Sequence, residues 1–177
     1  LSLLIVQIYS FVFFLVFHSI EYMENTISFN TKFGQISATE TKGKVTSIQF
    51  KRLKKKGLSS INLRKLRSNI NAYFKGKINN IKIPIKIAGN PMQKKVWNEL
   101  KRIKKGETKS YGQIAKKLNI SPRYVGKVCG QNRHILVIPC HRVIRSDGSL
   151  AGFSAYGGIN LKRRLIQFEK DDPFKKE

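Results

Sequence analysis

Cys140 stands between Pro139 and His141, with Arg142 following, in the segment ILVIPCHRVIRSDG. A thiol attacks as its thiolate, and a neighbouring imidazole or cation favours that form. Pro139 removes a backbone donor and fixes the chain where the apolar run of residues 135–138 ends. That run reads as a buried strand. Adjacent side chains in a strand point to opposite faces, so communication between Cys140 and His141 requires a turn at Pro139 or a bridging water. An activated nucleophile also needs a third group to orient its base. Glu169, in the final helical segment INLKRRLIQFEKDD, is one of only ten acids in the chain. Two other readings stay open on these residues alone. Cys140 could be an inert buried cysteine, or a zinc ligand with Cys129, His134 and His141, although that spacing matches no familiar zinc pattern.

The segments before this one must position it. GNPMQKKVWNELKRIKKG reads as a helix with Asn90 as cap and Pro91 in its first turn. Its stripe of Met92, Val96, Leu100 and Ile103 belongs to a core. SYGQIAKKLN opens on Ser110 with Gln113 three residues on, a capping box, and Ile114, Ala115 and Leu118 face inward. Ser121 and Pro122 then start a second short helix, continuing RYVGKVCGQN. Two short capped helices in succession read as a helix-turn-helix, whose second helix usually enters a DNA groove. Arg123, in the first turn of that helix, opposes the helix dipole. It is either a solvated charge or a side chain held out toward a phosphate or a base stack. Cys129 reads as a small buried hydrophobe.

Earlier in the chain, TISFNT, FGQISAT and KVTSIQF read as strands, followed by the basic loop KRLKKKG. SSINLRKLRSNINAYFKG reads as a helix through Ile61, Leu66, Ile70, Tyr73 and Phe74, stopped by Gly76. INNIKIPIKIAGN reads as an extended strand that Pro84 confines to a sheet edge. Residues 23–88 thus form an α/β scaffold with no catalytic constellation, and residues 89–177 carry the chemistry. Residues 1–22 are an apolar extension containing no Lys or Arg. They are long enough for a membrane span, but no basic residue precedes the apolar run as in a secretory signal. Met23 is the expected start of translation, with the stretch before it an upstream read-through; a membrane anchor is the alternative reading.

Composition narrows the partners. With 177 residues, 41% of them apolar, the chain can bury a core. Lys and Arg number 35 against 10 acids, a formal charge of +25, which draws DNA, RNA or an anionic membrane. The chain is also rich in Asn and Ile, so part of the excess reflects composition bias. Cys129 and Cys140 are its two cysteines, too few for a disulfide framework, and this usage suits a reducing compartment.

PCHRVI, preceded by SYGQIA and RYVG and followed by GFSAYGG and LKRRLIQFE, closely resembles the O6-alkylguanine-DNA alkyltransferases, the methylated-DNA–protein-cysteine methyltransferases. The resemblance runs from about Pro91 to Glu169, and more weakly through FGQISATETKGKVTSIQF and AYFKG. It implies an α+β fold with a small N-terminal α/β, ribonuclease H-like domain. A mainly helical domain follows, with a helix-turn-helix and the Pro-Cys-His-Arg turn. The implied reaction moves an alkyl group from O6 of a flipped-out guanine, possibly also from O4 of thymine, to Cys140, once per protein. By this resemblance His141 acts through water as the base and Glu169 holds it. Tyr111 donates to the guanine ring with Lys162 assisting, and Asn132 braces the turn.

Arg123 matches the family's arginine finger, which fills the space of the flipped nucleotide. Ser121, Tyr124, Gly126, Lys127 and Arg142 are the other expected DNA contacts. Met92, Val143, Phe153, Ser154, Tyr156, Gly157 and Gly158 are the expected base pocket. No cofactor or metal is implied. The implied partner is double-stranded DNA containing O6-alkylguanine, approached through the minor groove. The protein is expected as a monomer without an obligate protein partner, in the cytoplasm at the nucleoid, or in the nucleus of a eukaryote. The chain departs from the family pattern at Arg133 and Lys104, where proline is usual, at Met92, where phenylalanine is commoner, and in the longer GFSAYGG. Two competitors are a lesion-binding module that does not repair, whose known examples lack the cysteine, and a helix-turn-helix regulator, which would normally carry a further sensor domain.

Overall fold

A computed structural model describes residues 24–51 and 57–171. The apolar extension, Met23 and most of the basic loop KRLKKKG lie outside the described residues. Strands β1 (Asn25–Thr31), β2 (Gly34–Thr41) and β3 (Lys44–Phe50) form an antiparallel meander. Lys42 and Gly43 join β2 to β3 with φ of 51° and 70°, the doubly left-handed turn whose twist suits a hairpin. Ile36 pairs with Phe50 and Ala38 with Ile48, so one face of the sheet is apolar. Val45 is out of phase with Ile48, and a register shift at Thr39/Glu40 returns it to that face.

Helix α1 (Ile61–Phe74) covers this face with Leu63, Leu66, Ile70 and Tyr73. Its cap, Ser60, accepts from Leu63 N at 3.1 Å and donates to the buried Glu40 Oε2 at 2.5 Å. After α2 (Pro91–Lys101), α3 (Tyr111–Leu118) and α4 (Pro122–Gly130), the last helix, α5 (Gly158–Lys170), returns to the same core with Leu161 and Leu165. Burying a leucine contributes about 1.5–3 kcal/mol, so α5 is held firmly against the sheet layer.

A second core lies among α2, α3 and α4. Val96, Trp97 and Leu100 meet Ile114 and Ala115, Val125 and Val128, and then Cys129, Ile138, Cys140 and Val143. Trp97 Nε1 donates to Val128 O at 3.1 Å, tying α2 to α4. Asn119 ends α3 with φ of 51°, a left-handed conformation that asparagine tolerates. Ser121 then caps α4 by accepting from Tyr124 N at 3.2 Å.

Two expected strands are absent. Residues 135–138 form a tight turn in which Ile138 N bonds His134 O at 2.8 Å and Leu136 has φ of 74°. The reason is that the run serves both cores. Ile135 and Leu136 sit in the first and Ile138 in the second, whereas a strand would put Leu136 and Ile138 on one face. Residues 78–90 make only an isolated parallel bridge, Val45 with Ile85. Pro84 accepts from Val45 N at 2.9 Å but has no N–H to extend the ladder.

A short parallel pair completes the frame: β4 (Lys109–Ser110) beside β5 (Val143–Ile144). It binds the start of α3 directly to the residues after Cys140–Arg142. Among the described residues, no helix is long and apolar enough to cross a membrane.

Candidate active site

Pro139, with φ of −80° and ψ of 64°, lets Cys140 N bond Ile138 O at 2.8 Å. This is an inverse γ-turn, which the proline ring favours by fixing φ. Cys140–Arg142 then form one 3-10 turn. Successive side chains in such a turn are not opposed as they are in a strand, so Cys140, His141 and Arg142 take separate directions. Asn132, just past the end of α4, braces the turn. Its Nδ2 donates to Ile138 O at 2.7 Å and to Cys140 Sγ at 3.1 Å, while its Oδ1 accepts from His134 N at 2.8 Å.

Behind the cysteine lies a buried polar relay. His141, 0% exposed, donates from Nε2 to Glu169 Oε1 at 2.5 Å. Arg142 donates to the same carboxylate from Nε to Oε2 at 2.8 Å and from Nη2 to Oε1 at 3.1 Å. Its Nη1 reaches Ile103 O at 2.6 Å. Tyr73 Oη also donates to Glu169 Oε1, and Gly106 N donates to Oε2 at 3.2 Å. Burial alone would raise the Glu169 carboxyl, but His141 and Arg142 outweigh it and hold it well below the usual carboxylate range. Glu169 is therefore an anion and acceptor, which assigns the His141 proton to Nε2. Burial pushes His141 below its ordinary value, opposed by Glu169 and reinforced by Arg142 and Lys162. The ring is thus neutral, and its buried Nδ1, a basic lone pair, has no hydrogen-bond partner among the described residues.

Cys140 Sγ faces the other way, onto a cavity of about 340 Å³. Tyr111, Gly126, Cys129, Gly130, Gly152, Phe153 and Ser154 line it as well. Burial raises the Cys140 thiol, partly offset by the Asn132 hydrogen bond and the charge of Lys162, so its resting form is the thiol. Tyr111 is the first residue of α3, and the β4–β5 pair sets it beside the cysteine turn. Burial, with the nearby Cys129 and Cys140, pushes its phenol up to about 12. Lys162 is buried on α5 and donates from Nζ to Tyr111 Oη at 3.4 Å. Seven residues, two helical turns, separate Lys162 from Glu169, so α5 presents both toward the site.

The remaining expected residues distribute unevenly. Phe153 and Ser154 line the cavity, but Met92, Val143, Tyr156, Gly157 and Gly158 do not. Val143 is fully buried in the second core, and Tyr156 is 85% exposed on a neighbouring groove of about 1030 Å³. Gly157 serves the helix start instead. Its φ is 100°, and a Cβ there would lie 3.0 Å from Leu161 Cβ. On α4, Arg123 and Lys127 are exposed, Ser121 is the cap, Tyr124 is half-buried and Gly126 lines the cavity. Arg142 is a correction. It was expected on DNA, but it is 3% exposed because the buried Glu169 carboxylate recruits it inward. Among the described residues, no group of His, Cys, Asp or Glu is arranged to hold a metal ion.

Comparison with known proteins places this geometry. Residues 91–171 match the family model of the 6-O-methylguanine DNA methyltransferase, DNA binding domain. The methylated-DNA–protein-cysteine methyltransferase of Methanosarcina mazei is 34% identical over 111 residues, covering 62% of this chain and 69% of that protein. The chain belongs to the methylated-DNA–protein-cysteine methyltransferase family. The family member from Mycobacterium bovis is 41% identical over 103 residues, 57% of this chain, and the match spans 61% of that protein's length. The fold agrees with that of Mycobacterium tuberculosis OGT solved in complex with DNA. The TM-score is 0.75 at 29% identity, covering 84% of this chain and 94% of that one.

Two features of this methyltransferase-family site escaped the reading from sequence. By spacing Tyr73 belongs to the apolar stripe of α1, yet its hydroxyl closes the Glu169 relay. Its polar tip in an otherwise apolar stripe was the available signal. Cys129 was read as core, and it also forms part of the wall facing Cys140.

Proposed function

We propose that this chain repairs DNA by moving a methyl or other alkyl group from O6 of guanine irreversibly onto Cys140. The observation that carries this reading is the placement of Cys140 Sγ on a cavity wall with Tyr111, while His141 and Glu169 stand behind it. His141 Nδ1 takes the thiol proton through a bridging water. Sγ then attacks the alkyl carbon, the S–C bond forms, and the C–O6 bond breaks with its electron pair passing to the guanine ring. Tyr111, protonated at neutral pH, donates to that ring, and Lys162 supports the phenol. The thioether product is stable, so each chain acts once.

Duplex DNA containing O6-alkylguanine is the partner, with the damaged nucleotide flipped into the cavity. The pair α3–α4 is read as a helix-turn-helix set in the minor groove, with Arg123 as the finger that fills the vacated stack. Ser121, Tyr124, Gly126 and Lys127 stand along the same helix, and Arg142 positions Glu169 instead of touching DNA. Residues 23–88 are read as a ribonuclease H-like scaffold and residues 89–177 as the DNA-binding alkyltransferase unit, working as a monomer at the nucleoid.

The test is intact-protein and peptide mass after mixing with a duplex carrying one O6-methylguanine. One methyl on the Cys140 peptide, saturating at one per chain, is expected. Tight binding without methyl gain would sink the transfer reading and leave a lesion-recognition protein.

A further inference from the structure

Two cavities share no lining residue with the acceptor cavity, and nothing in the alkyl-transfer reading uses them. One, of about 370 Å³, reaches Arg142; the other, of about 500 Å³, reaches Glu169. They meet at Asn79, Asn80 and Lys101, which line both. Lys82 adds a cation to the first, and Arg102, Lys104 and Lys105 add cations to the second. The carboxylates lining them are Glu107 and Glu169. Glu169 is already engaged by Arg142, and Arg102 is engaged by Glu99. Lys82, Lys101 and Lys104 therefore converge on a concave surface, and among the described residues no carboxylate forms an ion pair with them.

We propose that this paired cavity is a binding site for a phosphoryl anion. Lysine ammonium groups and asparagine amides are both donors to phosphoryl oxygens, and charge-assisted hydrogen bonds of this kind are the strong ones. Lys101 shares one cavity with Lys82 and the other with Lys104, and an anion bound in either offsets the like charges that line it. The excess charge of the chain gathers anions everywhere on its surface; the concave lining and the two amides distinguish this place, where Lys82, Lys101, Lys104 and the asparagines are themselves exposed. It is also tied to the relay. The segment 101–107 accepts Arg142 Nη1 at Ile103 O and donates from Gly106 N to Glu169. An anion held on Lys101 and Lys104 fastens the segment that positions both residues.

The inference does not depend on the alkyl-transfer reading. The probe is inorganic pyrophosphate, titrated calorimetrically into the full chain, into K101Q/K104Q and into a control, K94Q/K95Q, whose lysines lie on the exposed face of α2. One saturable site in the wild type and the control is expected, with affinity at least about tenfold weaker in K101Q/K104Q. Benzyl transfer from free O6-benzylguanine to Cys140, followed in parallel, monitors the acceptor site and its reading separately. Competition with a short undamaged duplex separates the sources. Mutual displacement identifies a DNA backbone phosphate as the occupant, and simultaneous binding identifies a small phosphoryl compound. Equal binding by all three proteins, or several weak ions per chain without saturation, overturns the site.

Discussion

Arg142 and Glu169 form a buried two-point ion pair, with Nε to Oε2 at 2.8 Å and Nη2 to Oε1 at 3.1 Å. Replacing Arg142 by Ala leaves the carboxylate buried with its guanidinium gone, at an expected cost of about 3–5 kcal/mol. Urea denaturation measures it. A loss below about 1 kcal/mol would mean that the pair behaves like a solvated surface bridge. The depressed Glu169 value has a pH signature as well. Its stabilisation is present above the unfolded carboxylate value of about 4.3 and is lost as pH falls from there toward the lower folded value. Glu169→Gln should remove that dependence.

Tyr73→Phe tests the third arm of the same cluster. Tyr73 Oη donates to Glu169 and accepts from Arg142 Nη2 at 3.2 Å, and Nη2 keeps Glu169 when the hydroxyl goes. The expected cost is therefore smaller, about 1–2 kcal/mol. Calorimetric melting of the variant gives the value, and an unchanged Tm would remove Tyr73 from the relay.

Under the proposed reaction, His141 sets the acid limit of transfer. Burial holds its folded value below the ordinary one of about 6.5. The base consequently stays neutral as pH falls through that value, and methyl transfer should decline only below it. The same depression makes stability fall as pH drops below about 6.5, because the unfolded state then binds the extra proton. Single-turnover rates across pH 5–8 check the first point; a half-maximal rate at or above about 6.5 would contradict it.

Arg123→Ala should slow transfer from duplex DNA by about tenfold or more, since flipping costs a few kcal/mol. Reaction with free O6-benzylguanine needs no flipping and should be nearly unchanged. Equal losses on both substrates would rule out a finger at this exposed position of α4.

The two thiols of the cavity can be separated by substitution. Cys129→Ala should still accept one methyl, because Cys129 has no relay behind it and burial pushes its thiol far up. Cys140→Ala should accept none while binding DNA almost normally. A methyl found on Cys129 of the Cys140→Ala protein would reassign the acceptor.

The sequence by itself determined the parts whose signals are local. Asn90 with Gln93 and Ser110 with Gln113 form complete capping boxes, and Ser121 with Pro122 starts α4, as their residue types require. The three strands likewise lie where their β-rich segments stand, although the register shift at Thr39/Glu40 breaks the alternation in β3, and PCHR singled out Cys140 as the candidate acceptor within a recognisable set of motifs. Tertiary structure decided what depends on partners distant in the chain. The apolar run 135–138 became a turn because it must fill two cores, a demand that periodicity does not encode. Arg142 turned inward because Glu169, 27 residues away, is buried and needs a cation. Tyr73 joined the relay across 96 residues for the same reason, since a buried carboxylate draws in every donor that the packing brings within reach.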